Sequence, residues 1–137
     1  MDKDIENFTQ KYETRLKRVF GASVQELAEE ANEPVGKGGN MRVDTGFLRS
    51  SLKGQRHRMP SGQGEPRKGQ TYSKTDSLDG AQESSLLAEL LKWKAGDKFY
   101  LGWSANYARV REYKDGFVRQ AAQRWEQIVK SNAKKLS

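Results

Sequence analysis

A chain of 137 residues is one domain in length, which excludes a multidomain enzyme. Leu, Ile, Val and Phe together make 25 of those residues, under the roughly one-fifth at which disorder becomes a serious expectation, and the mean hydropathy is −0.96. With no Cys and a single His, disulfide frameworks, thiolate metal sites and His-rich zinc sites are excluded within one chain.

The net charge of +7 is modest for the length, and three Trp and five Tyr lie among spaced apolar residues, so a partly ordered domain, residues 1–137, with loose loops is expected. The charge is uneven: residues 1–33 sum to −3, 34–75 to +7, 76–105 to −2 and 106–137 to +5. Such alternation suits self-association as well as nucleic acid. The opening MDKDIENF lacks the apolar run of a signal peptide, and no stretch approaches the roughly 18 apolar residues of a membrane span, so folding in a cytoplasm is expected.

Along residues 4–31, Ile5, Phe8, Tyr12, Leu16, Val19, Phe20, Val24, Leu27 and Ala31 recur at the spacing of one helical face. Gly21 permits a slight kink. Pro34 and the Gly-rich run 36–40 end this helix in a flexible connector. Residues 44–52 predict a short helical turn, capped by Asp44 or Thr45, that points Phe47, Leu48 and Leu52 at the core. From 54 to about 82 the chain is polar and basic, with Met59 and Leu78 its only sizeable aliphatic residues, which predicts a long mobile loop flanked by strand near 52–58 and 71–73.

Leu86, Leu87, Leu90, Leu91 and Trp93 predict a short amphipathic helix over 84–93 with Ser84 as its cap. Gly96-Asp97 stops it. The alternation of Phe99, Leu101 and Trp103 predicts a strand over 98–103, with Gly102 at a close approach or bulge. From Asp115 or Gly116, the spacing of Phe117, Val118, Ala121, Ala122, Trp125, Ile128, Val129 and Leu136 predicts a second long helix. The fold class that follows is α+β: a long N-terminal helix, a small antiparallel sheet with a long mobile loop, and a long C-terminal helix.

Asp44-Thr45-Gly46 matches the catalytic triplet of aspartic proteases, in which two carboxylates share a proton. A chain with one triplet would have to dimerise, and helix-like spacing takes over at Phe47, so a cap and turn with Gly46 in an unusual backbone position accounts for it better. Gly36-Lys37-Gly38-Gly39 lacks the second half of a phosphate loop. His57 stands among Lys53, Arg56 and Arg58 and reads as a solvated loop residue. The basic segment 49–74 offers phosphate contacts, but Tyr72 is its only aromatic for base stacking. Trp93, Trp103 and Trp125 fall on apolar faces and read as core or subunit contact.

Two stretches together resemble a known family. Val43-Asp44-Thr45-Gly46-Phe47-Leu48-Arg49-Ser50-Ser51-Leu52 is similar to one signature, and Gly96-Asp97, Leu101-Gly102, Asn106-Tyr107-Ala108 and Glu112-Tyr113 to the other, of the tail-component family of long-tailed bacteriophages, which includes the Z-type tail-completion proteins of lambda-like phages. Phe117-Val118-Arg119-Gln120-Ala121 with Trp125 resembles the start of that family's last helix, so the likeness spans about residues 5–135. Lys114-Asp115 leads almost directly into that helix, where family members often carry a Gly- and Pro-containing loop.

The resemblance implies a structural virion or assembly protein without enzymatic activity or cofactor, one subunit of a hexameric ring at the head–tail junction or proximal tail. Its implied partners are copies of itself, tail-terminator, tail-tube or connector proteins and, transiently, phage DNA, with no membrane. The motif residues Asp44, Thr45, Gly46, Leu48, Arg49, Gly102, Tyr107, Ala108 and Glu112 are then structural. Phe47, Leu48 and Tyr107 are expected as core anchors, and Arg49 with Glu112 as an ion pair. Arg56, Arg58, Arg67 and Lys68 are candidates for an interface with an acidic neighbour. The competing readings are a small basic non-specific nucleic-acid-binding protein and a dimeric aspartic hydrolase resting on Asp44.

Overall fold

The apolar spacing of the N-terminal third produces one unbroken helix, α1 (Asp2–Ala31), in the computed structural model, which describes residues 2–39, 41, 46–60, 62, 64–66, 72, 78 and 80–136. Its C-terminal half supplies Val19, Ser23, Val24, Ala28 and Ala31 to the interior, whereas residues 3–7 and 9–16 are exposed. Beyond α1 the expected flexible connector is in fact hydrogen-bonded into a compact turn. A short 3-10 segment (Val35–Lys37) is flanked by a bridge between Pro34 and Met41, with Val35 N donating to Met41 O (3.0 Å) and Met41 N to Glu33 O (3.2 Å). The driving group is Met41, whose side chain is completely buried.

Of the stretch 44–52, the described residues from Gly46 form the expected helical turn, α2 (Phe47–Ser50), followed at once by β1 (Leu52–Gln55). That strand pairs antiparallel with β2 (Tyr100–Trp103), Leu52 opposite Trp103 and Gln55 opposite Tyr100. Between them α3 (Gly80–Lys92) lies against β1 and buries Leu86 and Leu90. It begins four residues before Ser84, so that residue sits inside the helix and is not its cap.

The basic loop touches the rest of the domain at several described points. Gly64 N donates to Ser104 O (2.6 Å), and Asn106 N donates to Gly64 O (2.8 Å). Tyr72 meets Phe47 edge-on at 5.3 Å, and Leu78 packs against the core. The strand expected near 71–73 lies outside the described residues apart from Tyr72, which is not in one.

The expected second long helix is divided. A helix not anticipated from spacing, α4 (Ala108–Asp115), ends in left-handed Gly116; α5 (Phe117–Ala122) follows, and α6 (Trp125–Lys135) completes the chain after a tight turn in which Arg124 N donates to Ala121 O (3.0 Å). No Gly or Pro lies at this second break, so tertiary packing makes it. The bend lets α5 and α6 both lie along α1, with Phe117 and Ala121 buried on one side of it and Ile128 and Asn132 on the other.

All three Trp join the interior, as their apolar faces predict. Trp93 stacks on Phe20 at 4.1 Å, Trp125 meets Phe20 edge-on at 6.3 Å, and Trp103 meets Phe117 edge-on at 5.0 Å. None of the described helices is long and apolar enough to cross a membrane.

Candidate functional site

The two motif stretches meet where α2, β2 and the end of α1 converge. Gly46 adopts φ +87°, a left-handed conformation that β-carbon-bearing residues disfavour, and this turns the chain into α2 so that Phe47 and Leu48 point inward and are buried. Asp44 and Thr45, the expected caps, lie outside the described residues; α2 has Gly46 at its cap position and no side-chain cap bond there.

Arg49 is completely buried, and its carbonyl is a focus of hydrogen bonds. Asn32 Nδ2 donates to it at 3.0 Å and Gln82 Nε2 at 2.9 Å, while the indole Nε1–H of Trp103 donates to Asn32 Oδ1 at 2.8 Å. One fully buried amide thus ties the end of α1 to α2, β2 and, through the shared carbonyl, α3. Ser51 O accepts from both Ser104 N (3.0 Å) and Ser104 Oγ (3.2 Å), which extends the pairing beyond β2.

The second stretch makes turns and caps. Gly96 at φ +95° and Asp97 close a turn in which Asp97 Oδ2 accepts from Lys94 N (3.0 Å) and Asp97 O from the Trp93 indole (2.9 Å). At Gly102 an added β-carbon would lie 3.1 Å from Pro60 Cδ and 3.2 Å from Met59 Cε, the close approach that its place in the strand predicts. Tyr107 is half-buried and faces Phe47 at 6.3 Å between ring centres, and Ala108 packs against the same core.

Glu112 does not pair with Arg49. Its carboxylate accepts from the backbone amides of Val118 (2.7 Å) and Arg119 (3.0 Å), capping the first turn of α5 across the Gly116 joint. Backbone donors left over at a helix start outcompete a cation that lies in another part of the core. Glu112→Ala is expected to lower unfolding stability by about 0.5–2 kcal/mol, read as a shift in urea midpoint at unchanged slope.

Arg56, expected at an interface, is engaged within the chain: its Nε lies 3.3 Å from Glu89 Oε2 on α3, and both side chains are largely covered. Arg58 is exposed, as are Lys53 and His57, whereas Arg67 and Lys68 lie outside the described residues.

Residue-type patterns did not single out the polar joints. Besides Asn32, Asn132 on α6 is buried and donates from Nδ2 to Glu26 Oε2 (3.0 Å) and Ile128 O (3.0 Å), with Ser23 Oγ of α1 at 3.3 Å. Its one legible signal is an Asn four residues after Ile128 on the apolar face of a helix.

Four carboxylates, Glu26, Glu29, Glu30 and Glu33, line one face at the C-terminal end of α1, where the helix dipole opposes them and no basic residue occupies the last turn. Arg124 from the joint before α6 reaches Glu30 in an ion pair. The carboxyl of Glu29 is held above its ordinary value, first by partial desolvation and then by repulsion from Glu83, Glu26 and Glu33. The folded state therefore binds this proton more tightly than the unfolded state. Its favourable contribution is complete below the ordinary carboxylate value and is lost as pH rises through the raised one. Glu29→Gln should accordingly raise Tm at neutral pH, with a gain that shrinks in high salt and disappears near pH 4; an equal gain at both pH values would show that charge is not the cause.

Among the described residues, no group of three or more His, Cys, Asp or Glu side chains is arranged to hold a metal ion. The converging residues can set turns, fill the interior and join helices. No family model matches the chain, and neither a curated protein nor a solved structure is similar to it.

Proposed function

We propose that the chain is a structural, non-enzymatic subunit of a tailed bacteriophage, forming a ring that completes the tail or connects it to the head. The observation that carries the reading is the convergence of the residues that give the family resemblance. Gly46 sets the α2 turn, Phe47, Leu48 and Arg49 are buried beneath it, Gly102 admits Pro60, Tyr107 packs on Phe47, and Glu112 caps α5. Such a signature specifies a shape, as a scaffold requires.

Assembly also fits the energetics of the chain. A 137-residue domain with 25 large aliphatic and Phe side chains has a small interior, yet it leaves Ile5, Tyr12, Leu87 and Leu91 on its surface. Burying those against neighbouring copies adds stability that the isolated domain lacks. In this reading the ring is a hexamer in the virion, assembled in the host cytoplasm. It stacks on tail-terminator, tail-tube or connector proteins and makes at most passing contact with DNA.

Exposed Lys53, His57 and Arg58 are the described residues that favour the alternative, non-specific nucleic-acid binding, while Arg56 is already paired with Glu89. Blocking translation of this reading frame in the phage that carries it should yield filled heads alongside unattached or unfinished tails. Complete, infectious particles would sink the proposal.

A further inference from the structure

We infer that the projecting N-terminal half of α1 is an arm that docks in a groove of a second copy of this chain, the groove formed by its α1, α3 and Leu136. This deepens the ring-subunit reading and rests on it only for closure of the ring.

The arm is the stretch of α1 that precedes Thr14 and Arg15, where the helix first comes beside the Leu136 end of the groove and beside α6. Residues 3–7 and 9–16 are exposed, with Ile5 and Tyr12 each 61% accessible, on the same apolar stripe that enters the core further along at Val19. A helical stretch of about a dozen residues has marginal stability alone in water, so an apolar stripe along it calls for a covering surface.

The groove is a separate surface of the same molecule. A cavity of about 400 Å³ is walled by Leu87, Leu90 and Leu91 of α3 and by Leu136, and floored by Gly21 and Ala22 of α1. Leu87 and Leu91 are 46% and 65% exposed. Nothing lies within 4 Å of a β-carbon built on Gly21, so the floor is open to a close-packing helix. Thr14, Lys17, Arg18 and Gln25 form its polar rim, with Lys17 Nζ donating to Leu91 O, and among the described residues no acidic side chain lines it.

Charge identifies the occupant. The start of α1 is acidic, with Asp4 and Glu6 flanking Ile5 and a net charge of −2 over residues 2–7, which complements the Lys17 and Arg18 rim. The arm cannot fill its own chain's groove. Along an unbroken helix Ile5 lies about 18 Å from Lys17 at 1.5 Å per residue, so the acidic arm at the groove must come from another copy. Two different surfaces, arm and groove, make the contact heterologous, the type that repeats around a ring.

The chain has no Cys, so introduced thiols report directly on this contact. Mild oxidation of the double variant Ile5→Cys/Leu91→Cys should give a ladder of disulfide-linked dimers, trimers and larger species. Each single variant should give nothing beyond dimers. Adding Asp4→Lys/Glu6→Lys should reduce the ladder about tenfold or more, and adding Lys17→Glu/Arg18→Glu to that same chain should restore it. Unchanged helical circular dichroism would show that these surface variants fold.

Three results would overturn the inference. Efficient linking of Ile5→Cys/Leu16→Cys in place of Ile5→Cys/Leu91→Cys would mean that two arms pair antiparallel. Rings seen by sedimentation and electron microscopy without the Ile5–Leu91 link would remove this interface and leave the ring-subunit reading intact. A chain that stays monomeric at every concentration, with no link, would remove the arm-and-groove contact, and the particle phenotype would then decide the ring reading separately.

Discussion

Asn32→Leu is expected to destabilise the domain by about 2–4 kcal/mol, although the two side chains have the same number of heavy atoms and the same branching. The side chain of Asn32 is completely buried, and it accepts from the Trp103 indole while donating to the Arg49 carbonyl. Leucine leaves the indole N–H buried without its acceptor, which costs the full desolvation of that donor and not just the net worth of a bond. The Arg49 carbonyl suffers less, because Gln82 still donates to it.

The test is a double-mutant cycle in urea unfolding. Trp103→Phe removes the stranded N–H, so Asn32→Leu should cost about 1–2 kcal/mol less in the Trp103→Phe background than in the wild type. Strictly additive costs would mean that the indole bond contributes nothing and that Asn32 acts through the Arg49 carbonyl and packing.

Elements whose stability comes from a local pattern were legible in the sequence, and the joints between them were not. The apolar repeat from Ile5 to Ala31 gave α1 to within two residues, and Gly46 followed by Phe47 and Leu48 gave the α2 turn with its inward-facing side chains. The alternation of Phe99, Leu101 and Trp103 located β2, and Gly102 was placed at its close approach.

What failed depended on contacts between distant residues. The second long helix is broken before Trp125 at Gln-Arg, where no propensity stops a helix; the bend exists because α1 offers a surface to both α5 and α6. Charge and motif proximity pair Glu112 with Arg49, whereas its carboxylate is bonded to the amides of Val118 and Arg119, brought near only by the Gly116 turn. Charge alone makes Arg56 a candidate for an interface with an acidic neighbour, because its partner Glu89 is 33 residues away in sequence. Asn32 carries no local signature, since an Asn at the end of a helix is ordinary until another element is brought against it, and Asn132 has only its place four residues after Ile128 on an apolar face. Of the proposed assembly surface, the apolar stripe of α1 is visible in the sequence, but its division into a buried half and a projecting half is not. That division depends on where α6, running antiparallel to α1, comes to an end.

Phe117→Ala is expected to cost about 3–5 kcal/mol, a large share of the roughly 5–15 kcal/mol by which a domain of this kind is stable. The ring is 1% exposed, stands at the first position of α5 directly after the Gly116 joint, and meets Trp103 edge-on at 5.0 Å. Truncation removes the transfer free energy of an aromatic side chain and leaves a cavity that cannot readily collapse. Glu112 holds the α5 amides on one side, and the Asn32 bond fixes the Trp103 indole on the other. The fluorescence of the three Trp should therefore shift along with the unfolding midpoint, while Tyr113→Ala, on an adjacent helix but 85% exposed, should stay within about 0.5 kcal/mol of the parent. In the proposed ring Phe117→Ala should also assemble poorly, and here the cause is separable from a lost contact between subunits. Lowering the temperature to where the variant is folded should restore its assembly, whereas Asp4→Lys/Glu6→Lys should remain defective at every temperature, because it alters the arm and leaves the interior untouched. If Phe117→Ala unfolds at the parent's midpoint, Phe117 does not pack α5 against β2.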